Sequence, residues 1–275
     1  MTANHSFFSK LAFNLAEINL GRTKTNPSVG CVIVKDGSVI SSGVTSLNGR
    51  PHAEFNALSK KINFKGSTLY VTLEPCSHYG LTPPCTNIIK NKKIKNVYYS
   101  YDDPDLRSHR KAKEKLLKNN IKIKKIKLIK NDFYKSYFLN KNNKIPLIDA
   151  KFAISKDYYS INKKSKWITN ERSRKIVHLL RSRYDSILST SKSINKDNSL
   201  LNCRINGFDN NKPDVIIIDR NLRLKKNLKI LKFNNRKIYI LTSSNNKKKI
   251  LYFKKKKIKI IKIPKLVTTN DFNSI

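Results

Sequence analysis

The chain has 275 residues, of which 39% are hydrophobic and 28% charged, and its 58 Lys and Arg against 18 Asp and Glu give a net charge of +40. At roughly 100–200 residues per domain, this length predicts two domains. No apolar run reaches the roughly 20 residues of a membrane helix, and the N-terminus lacks the layout of a signal peptide. We therefore expect a cytoplasmic protein with no membrane partner.

The net charge and the number of cysteines limit which classes of function we expect for this chain. A strongly basic chain is typical of nucleic-acid binding, but here the lysines are scattered over both halves and aromatic residues are not interleaved with them. We interpret them as a solvated surface and expect no specific nucleic-acid partner. Four cysteines are too few for a disulfide scaffold in a chain of this size, so a close pair is more typical of a metal or catalytic site.

The first half alternates predicted helices and strands, which indicates a three-layer α/β domain. In chain order these elements are a helix at 5–20, strands at 29–34 and 39–42, a helix after Pro51, a strand at 68–73, a helix at 85–92, a strand at 95–101 and a helix at 111–119.

The polar segment 141–146 ends in proline, so we place the domain boundary there and predict domains at 1–145 and 146–275. In the second half we expect a helix at 171–183 and strands at 147–154, 184–189, 214–219, 237–242 and 258–263. Only one of the eight glycines, Gly207, lies beyond residue 80. This excludes a glycine-rich phosphate-binding loop in the second half.

A metal-binding pattern lies in the first half, where His52 and Glu54 precede Cys76 and Cys85. One imidazole and two thiolates are zinc ligands, and three protein ligands leave the fourth tetrahedral position to water, as in catalytic zinc sites. Glu54 is then a general acid and base beside that water. Each cysteine follows a proline, and we expect both at helix starts, where the thiolate is favoured.

This order of residues is the signature of zinc nucleobase deaminases, which usually have two residues between the cysteines. Here eight residues intervene, which indicates a different branch. Two alternatives stay open: a deaminase acting on a nucleic-acid base, and a non-catalytic protein with structural zinc. The presence of Glu54 argues against the second, because a structural site needs no general base.

Residues 25–34 (TNPSVGCVIV), 51–54 (PHAE) and 70–85 (YVTLEPCSHYGLTPPC) closely resemble the bifunctional deaminase–reductase family of riboflavin biosynthesis. The resemblance implies a cytidine-deaminase-like domain that hydrolytically deaminates 2,5-diamino-6-ribosylamino-4(3H)-pyrimidinone 5′-phosphate with hydroxide generated at zinc. It also implies that Asn26 and Asp103 bind this substrate. Leu81 and Thr45 depart from the family, which usually has Lys or Arg at the first position and often His at the second.

Segments 150–155, 165–169, 177–181 and 197–204 resemble the family's reductase domain. The resemblance implies a dihydrofolate-reductase-like α/β fold, NADPH as cofactor, reduction of the ribosyl group to ribityl, and a homo-oligomer. It assigns the reductase substrate to Ser165, Arg181, Leu201 and Arg204, and NADPH to Ala153, Trp167, Ser193 and Asp197. The alternative interpretations are that Trp167 is a core residue and that the arginines are solvated charges.

The second half also departs from the family. Tyr158 stands where the family has Gly, and Ser199 replaces a usual Pro. The sequence ends at Ile275, about where the family continues with a Glu-Gly-Gly segment and a final strand. We therefore expect either an impaired reductase half, truncated at its C-terminus, or a sequence that is a fragment.

Overall fold

The computed structural model describes residues 4–126, 132–160, 167–208, 212–232 and 235–263. The chain forms two compact units, Met1–Lys151 and Phe152–Ile275, called here the first and second units. The boundary between residues 145 and 146 stays a prediction. Within the described residues, every helix is too short or too polar to cross a bilayer.

The helices and strands of the first unit follow the predicted order, with two additions near its end, β5 and α5. The elements are α1 (His5–Ile18), β1 (Gly30–Lys35), β2 (Ser38–Val44), a 3₁₀ turn (Leu47–Gly49), α2 (Ala53–Leu58), β3 (Thr68–Leu73), α3 (Cys85–Asn91), β4 (Asn96–Tyr101), α4 (Lys111–Leu117), β5 (Lys122–Lys125) and α5 (Lys135–Asn143).

In the described part of the first unit, the strands form one sheet in the order β2-β1-β3-β4-β5. Strand β1 is antiparallel to β2 and β3, whereas β3, β4 and β5 are parallel. Along β1, Val32 and Val34 pack in one buried cluster with residues of α1, while Cys31 and Ile33 pack in another with residues of α2 and α3. The sheet is therefore covered on both faces, which confirms the three-layer α/β fold.

Two glycines let the helices approach the sheet closely. A Cβ at Gly30 would lie 1.9 Å from the carbonyl oxygen of Ala12 in α1, and a Cβ at Gly43 would lie 2.4 Å from that of Ala53 in α2. Both separations are far below van der Waals contact, so any side chain would push the helix away. The close approach at Gly43 fixes α2, whose first turn carries Glu54 and whose N-cap is His52.

The second unit contains a parallel sheet in the order β6-β7-β8-β9 among the residues described. Its core is formed by aliphatic residues of β7 and β8 with Phe253 of α8. The elements are α6 (Glu171–Arg183), β6 (Ser186–Thr190), α7 (Ser191–Asp197), β7 (Asp214–Ile218), a 3₁₀ turn (Lys229–Lys232), β8 (Ile238–Thr242), α8 (Lys247–Lys255) and β9 (Lys259–Lys262).

The strand predicted at 147–154 is wrong. These residues carry no strand, and Ile148 and Phe152 are 83% and 78% exposed. Alternating apolar residues form a strand only where a neighbouring strand accepts and donates the ladder hydrogen bonds, and none of the strands in the described ranges pairs with this segment.

Tyr158 adopts a left-handed backbone with φ +66° and is 83% exposed. A non-glycine residue in this region costs roughly 1–2 kcal/mol. We expect Tyr158→Gly to raise the free energy of unfolding of the second unit by about 1 kcal/mol, because glycine relieves the strain but loses more chain entropy. Chemical denaturation checks this, with Tyr159→Gly as the control, which should not stabilise.

Candidate metal centre and active site

The candidate site lies at one edge of the first sheet. Because β3 and β4 are parallel, the segments that follow them, Glu74 to Cys76 and Asp102 to Asp103, emerge at the same edge. Antiparallel β1 begins at this edge, with Gly30 paired to Val44 at the end of β2. Open α/β sheets typically bind ligands beyond the carboxyl ends of their strands, and the metal-binding pattern gathers here.

His52, Cys76 and Cys85 each point one ligand atom into a common space, and these atoms all lie within 4.8 Å of one another. The His52 Nδ1 atom is 3.7 Å from the Cys76 sulfur and 3.5 Å from the Cys85 sulfur. Zinc bonds of about 2.0–2.1 Å to nitrogen and 2.3 Å to sulfur, at a tetrahedral angle, would separate these atoms by about 3.6 Å. The three residues therefore fit zinc in both donor chemistry and spacing.

The two cysteines sit in different local structures. Cys85 is the first residue of α3, as expected, but Cys76 lies in the loop after β3 and not at a helix start. The Cys76 sulfur nevertheless accepts a hydrogen bond from the Cys85 backbone N–H at 3.2 Å. The amide at the start of α3 therefore stabilises a thiolate on Cys76 from outside the helix.

The pKa values within this cluster diverge. A hydrogen bond from the side chain of Cys85, together with one from His52, lowers the pKa of Cys76 to about 4, although burial opposes this. The same hydrogen bond to Cys76, followed by burial, raises the pKa of Cys85. The Cys76 thiolate therefore lies beside the imidazole of His52. The hydrogen bond between these two side chains raises the pKa of His52. A divalent cation would favour the thiolate form of both cysteines.

Glu54 is 4% exposed and belongs to the same cluster. Burial, with a smaller contribution from the charge of Cys76, raises the pKa of Glu54 to about 7. A carboxyl group that titrates near neutrality can both accept and return a proton, which a general acid and base must do.

A cavity of about 90 Å³ opens onto these residues. Asn26, predicted to bind substrate, lines it and donates from Nδ2 to the Gly49 carbonyl oxygen at 2.9 Å. Asp103 also lines it and accepts from the Tyr137 hydroxyl at 3.0 Å. Further lining residues are Pro27, Val29, Thr45, Arg50, His52, Glu54, Leu73, Glu74, Cys76, His78, Asp105, Arg107 and Lys141. Asn26 and Asp103 therefore line the same cavity as three residues of the metal-binding pattern, His52, Glu54 and Cys76.

His78 lines the cavity but hydrogen-bonds through Nδ1 to the Ser108 hydroxyl at 2.7 Å. The group of potential metal ligands found in the described residues comprises His52, Cys76 and Cys85 without it. His78 therefore lies beside this ligand group and is held by Ser108.

Several residues that line the cavity were not predicted from the sequence. Tyr137 and Lys141 belong to α5, a helix that no apolar periodicity indicated, and Lys141 bonds to Asp105 at 3.1 Å. Arg107 makes two further hydrogen bonds to Asp105, at 2.9 and 2.6 Å. These contacts hold the pKa of Asp105 well below its usual range, chiefly through Arg107. The signal available was the run of charged residues after β4, which a sequence reading takes for a solvated loop.

Glu74 was also missed, although it stands beside Cys76. It is 3% exposed, and its carboxylate accepts hydrogen bonds from the backbone N–H groups of Asp103, Arg110 and Ala112, at 3.2, 3.0 and 3.2 Å. Glu74 thereby ties the loop that carries Asp103 to the loop that carries Cys76.

We expect Glu74→Gln to lower the free energy of unfolding by about 2 kcal/mol. An amide has one acceptor oxygen, and its NH₂ group would face a backbone donor that the carboxylate now satisfies. Denaturation midpoints measure the loss, and Glu114→Gln, at a surface carboxylate paired with Lys118, is the matched control. Equal midpoints for the two variants would contradict the proposed bridging by Glu74.

In the second unit, Arg181 and Arg204 lie around the backbone of Asn202. Arg181 donates to the Asn202 carbonyl oxygen at 3.2 Å, His178 approaches the same oxygen at 3.1 Å, and Arg204 lies 3.1 Å from the other nitrogen of His178. Burial, followed by the charge of Arg204, lowers the pKa of Arg181. The two positive charges therefore meet at the contact between His178 and Asn202, which makes a local positive field suited to an anion.

The other predicted reductase residues are spread along the second unit. Leu201 is half-buried with φ +50°, and Trp167 stacks on the Arg174 guanidinium, 4.5 Å from the ring centroid. Ser193 and Asp197 lie on α7, where the Ser193 backbone N–H donates to Thr190. Ala153 precedes the turn at Tyr158. Ser165 lies outside the described residues.

Comparison with known proteins gives this geometry a family. Residues 2–101 match the family described as the cytidine and deoxycytidylate deaminase zinc-binding region, and residues 146–270 match the RibD C-terminal domain. The riboflavin biosynthesis protein RibD of Aquifex aeolicus is 34% identical over 244 residues, covering 86% of this chain and 67% of that protein. The chain belongs to the RibD family.

Other RibD proteins agree. RibD of Escherichia coli is 32% identical, over 79% of this chain and 60% of its own length. A solved deaminase/reductase of Thermotoga maritima has a TM-score of 0.79 at 29% identity and covers 94% of this chain and 80% of that one. Acinetobacter baumannii RibD has a TM-score of 0.80 at 28% identity, covering 98% and 77%. The chain spans between 58% and 67% of the length of the curated RibD relatives.

Proposed function

We propose that this chain deaminates 2,5-diamino-6-ribosylamino-4(3H)-pyrimidinone 5′-phosphate hydrolytically in riboflavin biosynthesis. The observation that carries the proposal is the convergence of His52 Nδ1 and the sulfurs of Cys76 and Cys85 within 4.8 Å, beside a cavity that His52, Cys76 and Glu54 line. The family supplies the substrate class, since the solved relative from Thermotoga maritima is described as a diaminohydroxyphosphoribosylaminopyrimidine deaminase.

The residues of the site have separate roles in the proposed reaction. His52, Cys76 and Cys85 would hold zinc, which lowers the pKa of a coordinated water to about 7. Glu54 takes one proton from the attacking water and delivers it to the ring nitrogen. It then carries the second proton of that water, from the hydroxyl added to the ring carbon, to the amine, so that the carbonyl forms as ammonia departs. Its pKa of about 7 suits both directions of transfer. Asn26 and Asp103, fixed by Gly49 and Tyr137, orient the pyrimidine.

For the second unit we propose reduction of the ribosyl group to ribityl with NADPH, as implied by its match to the RibD C-terminal domain. Arg181 and Arg204, which contact Asn202 and His178 respectively, support this, because a guanidinium group can bind a phosphate bidentately. Leu201 and Ser165 are proposed substrate contacts beside them. Ala153, Trp167, Ser193 and Asp197 are the proposed NADPH contacts.

The test is product analysis with zinc-loaded protein. Ammonia release from the free diaminopyrimidine phosphate supports the deaminase, and subsequent NADPH oxidation supports the reductase. Ammonia release from a cytosine-containing oligonucleotide, with none from the free substrate, would instead favour the nucleic-acid base deaminase. The +40 charge makes that comparison worth running at physiological salt, where non-specific polyanion binding is screened.

A further inference from the structure

Arg50 stands at the wall of the cavity, two residues before the metal-ligand candidate His52. Its side chain is half-buried, and Nη1 donates to the Thr82 hydroxyl at 2.9 Å. Thr82 belongs to the eight-residue segment between Cys76 and Cys85, so this hydrogen bond joins the loop before α2 to that segment. A guanidinium group has five N–H donors, so the bond to Thr82 leaves donors for a ligand.

The other two cations that line the cavity are differently engaged. Arg107 and Lys141 both bond to the carboxylate of Asp105, at 2.6 and 3.1 Å. Their charges are therefore partly neutralised by a carboxylate that itself lines the cavity. Arg50 instead bonds to a neutral hydroxyl, and among the described residues it forms no ion pair with a carboxylate.

The residue next to Thr82 bears on how an anion would be bound there. Leu81 is 88% exposed and carries no charge. An anionic substrate needs a cation near its phosphate, because a desolvated phosphate without one is costly. The bond from Arg50 to Thr82 holds a cation beside the uncharged Leu81.

We propose that Arg50 binds the phosphate of the deaminase substrate, and that Thr82 positions the guanidinium for it. This rests on the proposed function of the same cavity. It names a phosphate-binding residue, Arg50, that lies outside the quoted motifs, and it gives Thr82, which lies within one of them, a positioning role. The cavity accordingly selects phosphorylated pyrimidines through Arg50.

The test compares the phosphorylated substrate with its dephosphorylated form. We expect Arg50→Ala to raise KM for the phosphorylated substrate by about 10- to 100-fold with little change in kcat, because loss of a uniform binding contact affects KM. KM for the dephosphorylated form should change less than about threefold on the same reasoning. Lys124→Ala, at an exposed lysine of edge strand β5, is the control for loss of one positive charge.

Double variants test whether a cation at position 81 can replace the one lost from Arg50. Adding Leu81→Lys to Arg50→Ala should restore most of the lost affinity, whereas adding Leu81→Gln should not. Thr82→Val should raise KM by less than Arg50→Ala, and should have no effect in the Arg50→Ala background, because Thr82 acts through the guanidinium.

Equal KM changes for both substrate forms in Arg50→Ala, or an additive effect of Thr82→Val, would overturn the proposal. Failure of the proposed function is separately visible, since the unmodified chain would then release no ammonia from either form. Active unmodified protein together with an Arg50→Ala variant of unchanged KM would leave the deaminase intact and remove only this role of Arg50.

Discussion

Replacing Glu54 with glutamine should leave zinc bound and lower kcat for deamination by about 10²- to 10⁴-fold, the usual contribution of a general acid and base. Glutamine has nearly the shape of glutamate but neither accepts nor returns a proton. Zinc retention is expected because the ligand atoms belong to His52, Cys76 and Cys85. Bound zinc measured by elemental analysis, alongside ammonia release, separates the two effects.

A structural role for Glu54 would give a different pattern. Its burial at 4% exposure means that glutamine also changes packing and hydrogen bonding near Cys85, so stability has to be measured in parallel. Glu114→Gln, at a surface carboxylate, controls for loss of one negative charge. Turnover within a few-fold of the unmodified protein, with zinc bound, would rule out Glu54 as the proton carrier.

The metal-binding pattern was predictable because its chemistry is local and its spacing is specific. His52 and Glu54 sit at the start of a short helix, and Cys76 and Cys85 bound one loop, so the sequence itself carries their order. Strand pairing explains why the other site residues lie beside this pattern. Parallel pairing of β3 with β4 brings the segments after both strands to one edge, which the alternation of elements already implied.

The supporting residues could not be predicted because their partners are distant in sequence. Glu74 bonds backbone groups of Arg110 and Ala112, 36 and 38 residues away, and no side-chain pattern marks a backbone donor. The cavity residues Tyr137 and Lys141 lie on α5, a lysine- and asparagine-rich helix with no buried residue and no apolar stripe. Helices of this composition form through tertiary contacts that periodicity does not report.

Lysine-rich composition hides elements elsewhere too. Strand β5 reads Lys-Ile-Lys-Lys and α8 begins with three lysines, so each shows fewer apolar positions than a periodicity argument needs. Conversely, the apolar alternation at 147–154 predicted a strand where the chain has none. An edge or isolated segment depends on its neighbour for hydrogen bonds, and that neighbour is not written in the segment itself.

Replacing Cys76 with serine should remove zinc and abolish deamination, whereas replacing Cys31 with serine should leave both in place. Serine keeps the size of cysteine but offers a hydroxyl in place of a soft thiolate, and three ligands cannot become two without large loss of affinity. Cys76 carries the thiolate of the cluster, since its pKa falls to about 4. We expect zinc to drop from about one ion per chain to well below about 0.2.

Cys31 makes the control strict because it is also a buried thiol of the first unit. It lies at 0% exposure within β1, and burial raises its pKa, so it has the opposite character to Cys76. Serine there costs stability by burying a hydroxyl but removes no ligand. Zinc retained by Cys76→Ser and lost from Cys31→Ser would mean that the metal sits elsewhere, and the deaminase proposal would lose its central observation. Loss from Cys76→Ser alone ties metal, thiolate and turnover to one cluster.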